Sequence, residues 1–172
     1  DGNPSTASAQ LESNQARLEE APPSFGGSVA SAGDVNGDGY ADVIVGAWLN
    51  DAGGTNAGRA YVYYGGLAAD AVADLVLTGA AANDNLGRSV SGAGDVNGDG
   101  FADVIVGAYR YTGGQQDEGR AYVYHGSASR LVAAPSWTAA GSRADGWFGY
   151  SVGTAGDLNG DGFPDIVFQQ LS

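Results

Sequence analysis

Nine consecutive residues, Asp34-Val35-Asn36-Gly37-Asp38-Gly39-Tyr40-Ala41-Asp42, carry oxygen side chains at positions 1, 3, 5 and 9 and a glycine at position 6. The pattern recurs as Asp95, Asn97, Asp99 and Asp103 with Gly100, and again as Asp157, Asn159, Asp161 and Asp165 with Gly162. Carboxylate and amide oxygens gathered by a sharp turn suit a hard cation. A backbone carbonyl from position 7, Tyr40, Phe101 or Phe163, would complete the shell. Ca²⁺ takes about six to eight such oxygens in irregular geometry, whereas Mg²⁺ demands an octahedron. Zinc is disfavoured, because the chain has no cysteine and one histidine. A metal-free polar turn would account for one such loop, but three with the same oxygen positions argue for three Ca²⁺ sites.

An EF-hand loop shares the first six positions but needs a bidentate Glu at position 12. This chain has Val45, Val106 and Phe168 there. The runs Val43-Ile44-Val45 and Val104-Ile105-Val106 are β-branched and read as buried strands rather than as an exiting helix. The acid loops are therefore expected to join strands.

The loops lie 61 and 62 residues apart, so the chain reads as a repeat. Residues 1–24 form a leader or weak outer strand, with residues 8–18 the candidate strand. Unit one spans 25–85, unit two 86–147, and a partial third 148–172. Each unit opens with a short strand (Phe25 to Ala30, Leu86 to Ser91, Phe148 to Gly153), then the acid loop, then the apolar strand. A third strand alternates aromatic and β-branched residues between glycines, Gly58 to Gly65 and Gly119 to Gly126. A weaker fourth covers Ala73 to Gly79 and Ala134 to Gly141. Four antiparallel strands in about 60 residues make a β-propeller blade, and solenoid coils are shorter. The fold expected is all-β, an incomplete ring of about two and a half blades.

The formal charge of -13 comes from 20 acidic and 7 basic residues, and three Ca²⁺ would reduce it to about -7. No basic patch exists to neutralise phosphates, so nucleic acid is not an expected partner. No run of 18 apolar residues suggests membrane insertion. The absence of methionine points to a processed chain or a piece of a longer one. Multi-carboxylate sites of this type fill where calcium is about millimolar, which favours an extracellular, secreted or cell-surface setting.

Phe25-Gly26 opening a unit, the Asp34-x-Asn36-x-Asp38-Gly39-x-x-Asp42 loop and the following Val45-Gly46-Ala47 resemble the FG-GAP repeats of the integrin α-subunit β-propeller and its bacterial relatives. The resemblance covers residues 25–172, with Leu86 in place of Phe and Phe168-Gln169-Gln170 in place of Val-Gly-Ala. It implies a calcium loop between the first and second strands of each blade, on the face opposite the ligand surface. The metal would then be structural, neutralising three crowded aspartates and locking the hairpin. Two and a half blades do not close a ring, so the rest would come from a longer polypeptide or from self-association.

Catalysis has little support in the sequence. His125 stands where unit one has Tyr64, which favours a surface or packing role, and no serine sits in a nucleophile elbow. Binding is better placed in the connections between second and third strands, which differ most between units. Trp48, Asn50 and Asp51, and Tyr109, Arg110 and Tyr111, are the candidate contacts with a protein or glycan. The function expected is a calcium-stabilised, non-catalytic adhesion or protein-interaction scaffold. Two alternatives are a lectin, since some fungal propeller lectins resemble this repeat family, and the propeller portion of a larger secreted enzyme.

Overall fold

The computed structural model describes residues 24–67 and 69–171. The outer strand expected at 8–18, and the leader up to Pro23, lie outside the described residues. Ten strands follow in order: β1 (Ser28–Gly33), β2 (Asp42–Ala47), β3 (Arg59–Tyr63), β4 (Leu75–Thr78), β5 (Leu86–Gly94), β6 (Asp103–Ala108), β7 (Arg120–Tyr124), β8 (Trp137–Ala140), β9 (Val152–Gly156) and β10 (Asp165–Phe168). They form two four-stranded antiparallel sheets, β1-β2-β3-β4 and β5-β6-β7-β8, and a two-stranded sheet of β9 and β10. These are integrin-like propeller blades in an open array, and among the described residues the ring is not closed.

The period-two alternation decides which side of each blade meets which neighbour. Ile44, Ala60 and Val62 of the first blade join Val104, Val106, Ala108, Tyr122 and Tyr124 of the second in one buried cluster. The opposite set of the second blade, Ile105, Ala121 and Val123, packs with Val152, Ile166 and Phe168 of the third. The same positions in consecutive repeats thus face forward in one blade and are met by backward-facing positions of the next. Each fully buried Val or Ile in these layers contributes about 1.5–3 kcal/mol.

The first strand starts later than the sequence suggests. Ser24 to Gly27 make a turn closed by the Gly27 N–H on the Ser24 carbonyl at 2.9 Å, and β1 begins at Ser28. Two adjacent glycines have little to gain from a pleated ladder. In the second unit β5 does begin at Leu86, which forms a parallel bridge with Gly58 of the first blade. The outer strands are short, and Trp137 in β8 remains 46% exposed, as the weak pattern of the fourth strand suggests.

Each acid loop is entered through a register irregularity, between Ser31 and Gly33, between Gly92 and Gly94, and beside Asp165. Such a bulge bends the strand where it meets the hairpin.

Candidate metal loops and an aromatic row

The hydrogen bonding of the three loops is nearly superposable. Asp34 Oδ1 accepts the N–H groups of Gly37 at 2.7 Å and Asp38 at 3.1 Å, and its Oδ2 accepts that of Gly39 at 2.8 Å. Asn36 accepts from the Asp38 N–H and donates to Asp38 Oδ2, both at 3.0 Å, while Asp38 Oδ1 accepts the Tyr40 N–H at 2.9 Å. Asp95, Asn97 and Asp99 repeat this set around Gly98, Gly100 and Phe101. Asp157, Asn159 and Asp161 repeat it around Gly160, Gly162 and Phe163. Position 6 holds φ of 86° at Gly39, a left-handed conformation that glycine adopts without a Cβ clash.

The ninth position behaves differently from the others. Asp42 and Asp103 are fully buried, and each carboxylate accepts two backbone N–H groups: Val35 and Gly65 at 2.8 Å for Asp42, Val96 and Gly126 at 2.9 Å for Asp103. One bond stays within the loop, and the other reaches the chain leaving the third strand, so this aspartate latches the hairpin to its own blade. Asp165 holds Leu158 at 2.8 Å and has no third strand to reach among the described residues. Burial pushes the carboxyls of Asp42 and Asp103 above the usual carboxylate range, with the backbone donors opposing it.

Whether these loops fit a cation turns on their donor chemistry. Every donor they offer is a hard oxygen, Asp38 and Asp99 are exposed, and nothing in the set prefers a soft metal. Among the described residues, however, no group of three or more His, Cys, Asp or Glu side chains is gathered closely enough to hold a metal. In each loop, three carboxylates accept backbone N–H groups, with an asparagine between the first two of them. A cation would draw the same oxygens inward. His125 lies at the rim of the middle loop, its Nδ1 3.0 Å from the Asn97 amide nitrogen. A cavity of about 430 Å³ opens beside the first loop, lined by Asp38, Tyr40, Tyr64, Asp74 and Arg130 among others.

At the other end of the blades, the six sequence-picked contact residues separate. Asn50 is fully buried, bonding the Tyr61 hydroxyl at 3.2 Å and the Ala52 N–H at 2.9 Å. Asp51 accepts the Asn56 N–H within its own connection. Arg110 pairs with Asp117 at 3.1 Å, and Tyr111 lies under the Arg120 guanidinium, 3.9 Å from its ring centre, and packs against the first core cluster. Trp48 and Tyr109 instead join residues that the sequence reading missed. The Arg88 guanidinium lies 5.8 Å from the Trp48 ring and 4.7 Å from that of Tyr150, and donates to the Tyr150 hydroxyl at 3.1 Å. Tyr109 meets Tyr150 and Trp147 edge-on at 5.3 and 5.7 Å. The five side chains form a half-buried row across three blades, and the Trp147 indole N–H has no hydrogen-bond partner among the described residues. The available signal was the residue after each Phe-Gly or Leu-Gly, which varies as Gly27, Arg88 and Tyr150.

A family model described as FG-GAP repeat matches residues 25–63, 86–124 and 148–168. The chain is 34% identical over 152 residues to integrin alpha-5 of Xenopus laevis, a match covering 83% of the chain and 14% of that protein. It is 35% identical to integrin alpha-6 of Gallus gallus, over 87% of the chain and 14% of the relative. Against integrin alpha-7 of Homo sapiens it is 37% identical, over 86% and 12%. The matched region spans about a seventh of the length of these relatives. Three matched segments, each carrying its strands and acid loop in the same places, show that the chain belongs to the FG-GAP repeat family.

Proposed function

We propose that the chain is a calcium-stabilised, non-catalytic segment of an extracellular adhesion or protein-interaction propeller. The observation that carries this reading is the threefold repetition of an all-oxygen loop at one end of an integrin-like blade. Asp34, Asn36, Asp38, Asp42 and the Tyr40 carbonyl would hold the first ion. The equivalents are Asp95, Asn97, Asp99, Asp103 and Phe101, then Asp157, Asn159, Asp161, Asp165 and Phe163. Bound Ca²⁺ would supply charge neutralisation to three aspartates that otherwise repel one another. The residues themselves do the rest: positions 1 and 5 shape the turn, and position 9 ties it to the blade.

The row of Trp48, Arg88, Tyr109, Trp147 and Tyr150 is the proposed contact surface, because rings with one apolar face and one polar edge suit protein partners. Further blades from a longer polypeptide complete the ring in this reading. Its support is Val167, 45% exposed where the equivalent Ile44 and Ile105 are fully buried under the next blade.

The test is thermal melting and calorimetry of the chain with Ca²⁺ or EDTA. Chelation-sensitive binding at about millimolar Ca²⁺ that raises the melting temperature is the expected result. A melting curve indifferent to both would remove the calcium from this reading.

A further inference from the structure

The acid loops of neighbouring blades touch, and the contacts are unequal. The Phe101 ring, at position 7 of the middle loop, lies on Gly37 of the first loop, where an added Cβ would come within 2.5 Å of it. Phe163 lies on Gly98 in the same way. At position 8, Ala102 packs against Gly33 and donates its N–H to the Asp34 carbonyl at 3.0 Å. Pro164 packs against Gly94 in the same place but has no N–H to give to Asp95. Shape is therefore kept at both junctions, and one hydrogen bond distinguishes them.

That bond bears on the middle loop's own donor set. The Ala102 N–H and the Phe101 carbonyl belong to one planar trans peptide, so they point in opposite directions. Fixing the N–H on Asp34 holds the Phe101 carbonyl pointing away from the first loop, and position 7 of the middle loop is where that carbonyl would supply a ligand. The Phe163 carbonyl has no such anchor. Asp34, the acceptor, is itself position 1 of the first loop, so the same bond steadies both hairpins. The Val35 carbonyl adds a second link to the middle blade by accepting the Ser127 N–H at 3.0 Å.

We infer that Phe101 and Ala102 are positioning residues that couple cation binding in the first and middle loops more tightly than the middle loop is coupled to the third. This rests on the calcium reading above. The first two sites fill over the same calcium range, and the third fills separately.

The experiment is peptide-resolved hydrogen exchange of the full chain across a Ca²⁺ titration, which gives each loop its own midpoint. Ala102→Pro copies the natural third loop. It raises the midpoints of the middle and first loops about fivefold, the effect of one lost backbone hydrogen bond, and leaves the third unchanged. Pro164→Ala supplies the missing donor and lowers the third midpoint by a similar factor, so the test survives if Ala102→Pro folds poorly. Phe101→Ala raises the first-loop midpoint, and Phe101→Tyr, the residue type of position 7 in the first loop, restores it. Protection of all three loops with midpoints indifferent to Ala102→Pro and Pro164→Ala would overturn the coupling alone. No protection of any loop by Ca²⁺ in the unaltered chain would overturn the calcium reading and the coupling together.

Discussion

Gly46 of the first blade lies so close to the carbonyl oxygen of Gly87 in the second that a Cβ at position 46 would overlap it, and Gly107 meets Gly149 in the same way one blade later. The Ser28 hydroxyl adds a bond to the same Gly87 carbonyl at 2.8 Å. The glycine after the apolar run of the first and second blades is therefore a requirement of blade-to-blade distance.

Gly46→Ala is expected to destabilise the fold by about 3 kcal/mol, the upper end for overpacking, because a backbone carbonyl cannot rotate aside. Gly153→Ala, whose Cβ would find only Val167 at 3.9 Å, should change stability little. Urea denaturation of both variants checks the contrast, and equal midpoints would mean that the inter-blade spacing is more elastic than the geometry implies.

Asp103→Asn replaces one accepting oxygen with an amide nitrogen, so either the Val96 or the Gly126 N–H loses its buried partner. The expected cost is about 1–3 kcal/mol in metal-free protein. Asp165→Asn, at a half-buried site with only Leu158 to lose, should cost less. Chemical unfolding in EDTA separates this latch from any metal contribution, and the reverse ranking would refute it.

Burial pushes the Tyr122 phenol up to about 12 and that of Tyr124 further in the same direction. A raised folded-state value favours the neutral form. Their contribution is therefore complete below the unfolded value near 10 and is lost as pH climbs through about 12. Phenolate absorbance should show a late phase coincident with alkaline unfolding. Tyr122→Phe should diminish that phase, and its full persistence would contradict the burial argument.

Trp48→Ala and Arg88→Ala should leave calcium-dependent melting near that of the unaltered chain while reducing adhesion to immobilised extracellular proteins. Each row contact is worth about 0.5–1 kcal/mol where exposed, so the fold tolerates its loss. Undiminished adhesion would move the contact surface elsewhere.

Much of this molecule was legible in one dimension. Spacing alone located the acid hairpins, and β-branched runs located the strands they join, because position 6 glycine and the alternation of Ala60-Tyr61-Val62-Tyr63 are local requirements. The match of β5 to Leu86 was legible for the same reason. The turn at Ser24 to Gly27 was not, since a Phe-Gly-Gly opening has weak local preference and its outcome depends on what the chain pairs with.

Tertiary structure decided what local pattern could not. Asn50 and Trp48 are two residues apart, yet one turns inward to Tyr61 and the other joins a row drawn from three blades. Asp42 shares a motif with Asp34, but only the sheet brings Gly65 within reach of it. Sequence determined the repeat, the hairpins and the face each strand buries, because these follow from spacing along one chain. Which loops touch, and which carbonyl a planar peptide aims, was settled by the approach of separate blades, a distance the sequence does not carry.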